Sequence, residues 1–286
     1  MISDITLGQF FPGYSPIHKL DPRTKIVLAV LFIVSVFVAN NPASFLLLTA
    51  FALILIAISR ISFKVIFKGI KPIVFILLFT AIINLLMTGG EGEPLVSFWI
   101  IKIYTEGIAR AVFMALRVII LIIGTSLLLT YTTSPISLTD GLESLLSPLK
   151  AIKVPVHTFA MMMSIALRFI PTLVEETDKI MNAQKSRGAD FTSGSLVKRA
   201  KALVPLLIPL FVSAFKRAEE LATAMECRCY RGDYNRTKLV KLELRGRDYF
   251  AFFVFALLLG VLITGSILPY KLMLSGDFLG VLFYKI

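Results

Sequence analysis

Five apolar runs set the limits on what this chain can fold into. They cover residues 26–39, 43–59, 72–88, 108–131 and 249–268. A helix that crosses a bilayer needs about 20 mostly apolar residues, so the first and third runs must borrow flanking residues. A further apolar stretch, 278–286, is too short to span. Of 286 residues, 57% are hydrophobic and 17% charged, whereas a soluble domain carries about 25% charged residues. The expected class is an all-α membrane protein with about five transmembrane helices.

The formal net charge of +12 lies between and beside the apolar runs. That placement fits the cytoplasmic faces of a membrane protein and gives no reason to expect a nucleic-acid partner. Lys19, Arg23 and Lys25 precede the first run, and the basic end of that opening segment is expected to meet the bilayer surface. The first loop has no Lys or Arg. The second carries Arg60, Lys64, Lys68 and Lys71. The third has only Lys102, beside Glu91, Glu93 and Glu106. The alternation places the N-terminus and the basic segment after the fourth run in the cytoplasm, and the C-terminus outside, in a multi-pass cell-membrane protein. Three regions follow: 1–131 with four transmembrane helices, 132–248 as a cytoplasmic helical domain, and 249–286 with the last helix and a tail. The first 25 residues have no apolar core segment, so no signal peptide is expected.

Local signals refine this. Asp21 suits a helix N-cap, with Pro22 in the first helical position. Residues 60–71 mix Ile61, Phe63, Ile66 and Phe67 with basic side chains and read equally as a short interfacial helix or as a plain loop. Arg110 and Arg117 fall seven residues apart on the fourth span. Arg110 can snorkel to the outer interface, whereas Arg117 lies deeper and should face the bundle or a polar partner.

The cytoplasmic region holds the most specific pattern. Leu138, Leu142, Leu145, Leu146 and Leu149 mark a short amphipathic helix. A second helix runs from Pro155 to Arg187, bent at Pro171 and stopped by Gly188. A turn at 190–195 leads to a third helix, interrupted by Pro205 and Pro209. Glu176, Ile180, Ala183 and Arg187 share one helix face, and Arg217, Leu221, Ala224 and Arg228 repeat the spacing. Forty-one residues separate the two terminal arginines. Two uses fit an arginine at a helix C-terminus. It can cap the last carbonyls on a solvated end, or its planar guanidinium can dock on a carboxylate or exposed carbonyls of a partner. The apolar first halves of both helices, including Met161, Met162 and Met163, suit burial in the bundle or an adaptable partner surface.

Several chemistries find no residues to carry them. There is no Gly-x-x-x-x-Gly-Lys-Ser/Thr phosphate loop; Gly89-Gly90-Glu91-Gly92 lacks the lysine. His18 and His157 are isolated in sequence, and no nucleophile–base set is visible. Cys227 and Cys229 are the only cysteines and read as reduced cytosolic thiols, short of a metal site.

Four stretches resemble the transmembrane (T) component of energy-coupling factor transporters, importers of vitamins and transition metals. They are Pro16-Ile-His-Lys-Leu20-Asp21-Pro22-Arg23-Thr24-Lys25, Arg168-Phe169-Ile170-Pro171, and the paired motifs Ser186-Arg187-Gly188 and Cys227-Arg228-Cys229. The likeness covers nearly the whole chain. It implies a non-enzymatic subunit between two ABC-type ATPases, identical or different, and one or more substrate-binding S components. It implies no cofactor in this chain, with ATP and Mg held by the partner ATPases. Carried over by position, Arg187 and Arg228 contact the ATPases, with Ala183, Ser186, Gly188, Ala224, Cys227 and Cys229 around them. Ser186 stands for the family's Ala, and Cys229 for the second motif's Gly. Cys adopts a left-handed cap less readily than Gly, so the third helix is expected to continue to Tyr230 and stop at Gly232, with Arg231 able to share the role of Arg228. The rival expectations are a self-sufficient secondary transporter and a membrane-embedded enzyme.

Overall fold

A computed structural model describes residues 10–87, 96–98, 101–189, 191, 195–232 and 242–267. The Gly-rich stretch 89–92, most of the turn 190–195 and the tail 278–286 lie outside the described residues. The helices run in the order α1 (Pro22–Val38), α2 (Pro42–Ser59), α3 (Phe63–Ile70), α4 (Val74–Met87), α5 (Thr105–Thr125), α6 (Pro135–Leu145), α7 (Val156–Ser186), α8 (Leu196–Cys227) and α9 (Gly246–Ile267). A two-stranded antiparallel hairpin, β1 (Val96–Phe98) with β2 (Ile101–Ile103), joins α4 to α5 and is the one departure from an all-α chain among the described residues. The described residues fall into two compact units. One runs to Gly141 and resumes at Leu242; the other spans Leu142 to Gly232.

The first unit is built around α1. Asp21 accepts a hydrogen bond from the Arg23 N–H at 2.9 Å and Pro22 opens the helix, as its sequence leads one to expect. Leu28, Phe32 and Val36 are fully buried against α5 and α9. Phe51 of α2 stacks near Phe32 and meets Phe255 of α9 edge-on, with centroids 5.0 Å apart in the second pair. Gly124 of α5 lies directly on the Phe32 ring, where any Cβ would collide. Lipid tails are as apolar as these rings, so between membrane helices the packing rests on close van der Waals fit and not on exclusion of water.

Five described helical stretches are long and apolar enough to cross a membrane: Pro42–Ser59, Phe63–Leu86, Gly107–Tyr131, Val156–Ser186 and Gly246–Gly265. Four match the expected runs. The helix over the first run, α1, has 17 residues and falls just short, while α7 meets the same measure of length and composition. Residues 60–71 resolve in favour of a helix: α3 passes through a short 3-10 turn into α4. Its Lys64 and Lys68 are exposed and Ile66 is buried. The fourth run ends in a π-helical turn over Ser126–Tyr131. Arg117 finds the polar partner its depth demands. Its Nη2 donates to the Ala39 carbonyl at the end of α1, 2.8 Å away, and its guanidinium sits 5.3 Å from the Phe45 ring centroid.

Lys25 departs from expectation. It does not meet a bilayer surface but is 2% exposed. Its Nζ donates to the Thr132 carbonyl at 2.8 Å and the His18 carbonyl at 3.2 Å. Asp248 is buried as well, and its carboxylate accepts from the N–H groups of Asp21 at 2.9 Å and Arg245 at 2.8 Å. It thereby caps the start of α9 from its first turn while tying that turn to the start of α1. His18 is not isolated. Its Nε2 donates to the Phe11 carbonyl at 3.0 Å, leaving Nδ1 to accept from Ser15 Oγ at 2.7 Å. Burial lowers its pKa, which favours this neutral form.

Candidate functional site

The second unit carries both arginine motifs. Its amphipathic start is shorter than the leucine pattern suggests: Ser147–Ile152, with Pro148 in its first turn, is a 3-10 segment after α6. His157, on the first turn of α7, pairs with Glu143 at 3.0 Å and so is not isolated either. Helix α7 runs for 31 residues through Pro171, and α8 for 32 through Pro205 and Pro209. The two prolines do not interrupt α8. Proline cannot donate to the carbonyl four residues back, and here Pro209 lies four after Pro205, so the missing bonds are confined to neighbouring turns.

The helices pack against each other within this unit, and one polar contact marks the crossing. Glu176 Oε1 accepts from Ser213 Oγ at 2.6 Å, and Glu176 Oε2 accepts from Arg217 Nη2 at 3.0 Å. Glu176 and Arg217 are the first members of the two repeated stripes and lie 41 residues apart, the offset that also separates Arg187 from Arg228. Each arm therefore runs the same eleven residues from crossing to terminal arginine, about 16 Å at the helical rise.

The two tips have the same backbone. Arg187 closes α7 with φ −87° and ψ 6°, and Arg228 closes α8 with φ −90° and ψ 14°. The next residue is left-handed in each case, Gly188 at φ 86° and Cys229 at φ 56°. At the first tip the Gly188 N–H donates to the Lys185 carbonyl and the Ala189 N–H to that of Gln184. At the second, Cys229 donates to Glu226 and Tyr230 to Met225. Both are Schellman closures, which satisfy the last carbonyls of a helix. This corrects the expected continuation of α8 to Tyr230. The helix stops at Cys227, because the closing hydrogen bonds and the solvent exposure of Cys229 outweigh its left-handed strain. Arg231 lies beyond the turn.

Ala183, Ser186, Arg187, Gly188, Ala224, Cys227, Arg228 and Cys229 are all exposed. Ser186 Oγ donates back to the Asn182 carbonyl at 3.1 Å. Among the described residues neither terminal guanidinium has an ion pair. The structure thus brings each motif together at its own helix end. Gly188 has open space around its Cβ position, so only backbone strain opposes a side chain there. Cys229→Gly should raise stability by about 1 kcal/mol and Gly188→Ala should lower it by a similar amount, measured as opposite shifts in the thermal unfolding midpoint.

The first halves of both helices are not fully buried. Met162 and Phe159 of α7, and Ile208 and Phe211 of α8, are each more than half exposed. Among the described residues no group of three or more His, Cys, Asp or Glu side chains is placed to hold a metal ion.

Residues 13–239 match the cobalt transport protein (CbiQ) family. The energy-coupling factor transporter transmembrane protein EcfT of Clostridium kluyveri is 55% identical over 251 residues, covering 88% of this chain and 93% of the relative. The chain belongs to this family of T components. The EcfT proteins of Ruminiclostridium cellulolyticum and Bacillus subtilis are 56% and 52% identical, each over 248 residues, 87% of this chain and 92% and 93% of the relatives. The chain is thus a multi-pass T component of an energy-coupling factor transporter. The matched stretch includes both arginine tips and the Glu176–Arg217 crossing.

Proposed function

We propose that this T component carries movement from two cytosolic ABC-type ATPases to a substrate-binding membrane S component, with Arg187 and Arg228 as the ATPase contacts. The observation that carries this is the matched pair of tips: two exposed arginines in the same closure, equal distances from one ion-paired crossing. An exposed guanidinium at a rigid helix end offers several fixed donors to a carboxylate or to exposed carbonyls. The exposed apolar surface of α7 and α8, rich in Met and Phe, suits a membrane partner that can be exchanged. The chain is a non-catalytic subunit; ATP and Mg belong to the partner ATPases, identical or different, and no cofactor or nucleic acid is assigned to it. The N-terminus and second unit lie in the cytoplasm and the C-terminus outside, following the Lys and Arg distribution.

The test is gentle-detergent purification of the tagged chain from its native membrane. ATPase subunits and small membrane proteins should co-purify, and the Arg187→Ala, Arg228→Ala double variant should lose the ATPases while it still accumulates in the membrane. Undiminished ATPase recovery with the double variant overturns the contact assignment. A chain that purifies alone and transports in liposomes favours a secondary transporter.

A further inference from the structure

The first unit carries a groove of about 410 Å³ between α2 and α9. Its floor is Leu28, Leu55, Leu128 and Phe255, none more than 7% exposed. Ile54 and Ile58 form one wall and Phe250 the other. Both flanking helices are long and apolar enough to span a membrane, so the groove belongs to the part of the chain that meets lipid.

One end differs from the rest. Arg247 is the only charged residue among those lining the groove. Arg245 precedes it at the start of α9, and Arg60 closes α2 just beyond Ile58. All three are exposed, and among the described residues their side chains form no ion pair. Asp248 is turned away, its carboxylate occupied by the Asp21 and Arg245 N–H groups. Glu243 is exposed and does not line the groove.

An apolar groove of this kind gives water no hydrogen-bond partners. A hydrocarbon chain fits the floor and walls, and a phosphate fits a guanidinium fork at the mouth. We propose that the groove between α2 and α9 binds an anionic phospholipid, one acyl chain lying on Leu28, Leu55 and Phe255 and the phosphate against Arg247. The polarity gradient along the groove selects this occupant. A partner helix would leave the arginine end unmatched, and a zwitterionic lipid would present Arg247 with no net negative charge.

The test uses the full chain, purified with its co-purifying subunits and stripped of lipid. Phosphatidylglycerol or phosphatidylcholine with identical acyl chains is added back and retained lipid is counted by native mass spectrometry. One phosphatidylglycerol should be retained on the order of fivefold more strongly than phosphatidylcholine, as expected for one basic side chain beside an anionic headgroup. Arg247→Gln, an exposed change that leaves the packing intact, should bring the two lipids within about twofold. Val254→Trp, which fills the groove, should lose both. Equal retention of the two lipids by the unaltered protein overturns the proposal, as does unchanged preference in Arg247→Gln. A photo-crosslinker at Ile54 should capture lipid; a protein adduct there assigns the groove to a partner subunit instead.

Discussion

Glu176→Arg should reduce ATP-driven uptake by about tenfold or more, and adding Arg217→Glu should restore most of it. The single change places two guanidiniums where an ion pair now stands at 3.0 Å, so the contact turns from attraction to repulsion. It also removes the acceptor of the Ser213 hydroxyl. The native pair is only partly buried, so its direct contribution to stability is about 1 kcal/mol. The large expected effect has a geometric origin. Each terminal arginine sits about 16 Å from the crossing along its own helix, so a change in crossing angle displaces both tips together.

The double variant separates this role from simple stability. It reinstates opposite charges at the same two positions with their order reversed. Uptake assayed in membranes with matched amounts of chain should follow the order native, double variant, single variant. ATPase co-purification should follow the same order. If the single variant transports normally at matched expression, the crossing does not set the positions of the tips.

The apolar runs and proline signals made most of the helical frame legible. Asp21 and Pro22 marked the start of α1 because capping is a local interaction. The two stripes were legible for the same reason: residues three and four apart share a helix face. Their meaning was partly hidden. Glu176 and Arg217 occupy matching places in the repeats with opposite charge, but only the packing of α7 on α8 shows that they meet. Cys229 hides its turn, because the residue type conveys a conformational preference and not the hydrogen bonds that close the helix. Pro205 and Pro209 misled because a helix breaker's effect depends on which carbonyl it leaves bare. Lys25 was the least legible. A lysine at the start of an apolar run usually keeps its ammonium in water, and the Asp21–Asp248 contact that frames its burial spans 227 residues of sequence.

Lys25→Met should cost about 3–5 kcal/mol, the range for removing one member of a buried charge cluster, and should sharply reduce the amount of chain in the membrane. The carbonyls of Thr132 and His18 lose their donor. Asp21 and Asp248, whose charges act on Lys25, are left as carboxylates without that cation. The loss is large beside a typical folding stability of about 5–15 kcal/mol. Lys19→Met, six residues earlier and exposed, should change little, because an exposed lysine keeps its hydration in either state. Adding Asp21→Asn to Lys25→Met should recover part of the loss, since the amide oxygen can still accept from the Arg23 N–H as an N-cap and one uncompensated charge is removed. Thermal unfolding midpoints of the four proteins test this order. If Lys19→Met and Lys25→Met are equally stable, the buried lysine does not tie the N-terminal segment to the close of the π-helical turn at Thr132, and the cohesion of that region must come from apolar packing around Ile17 and Leu28 alone.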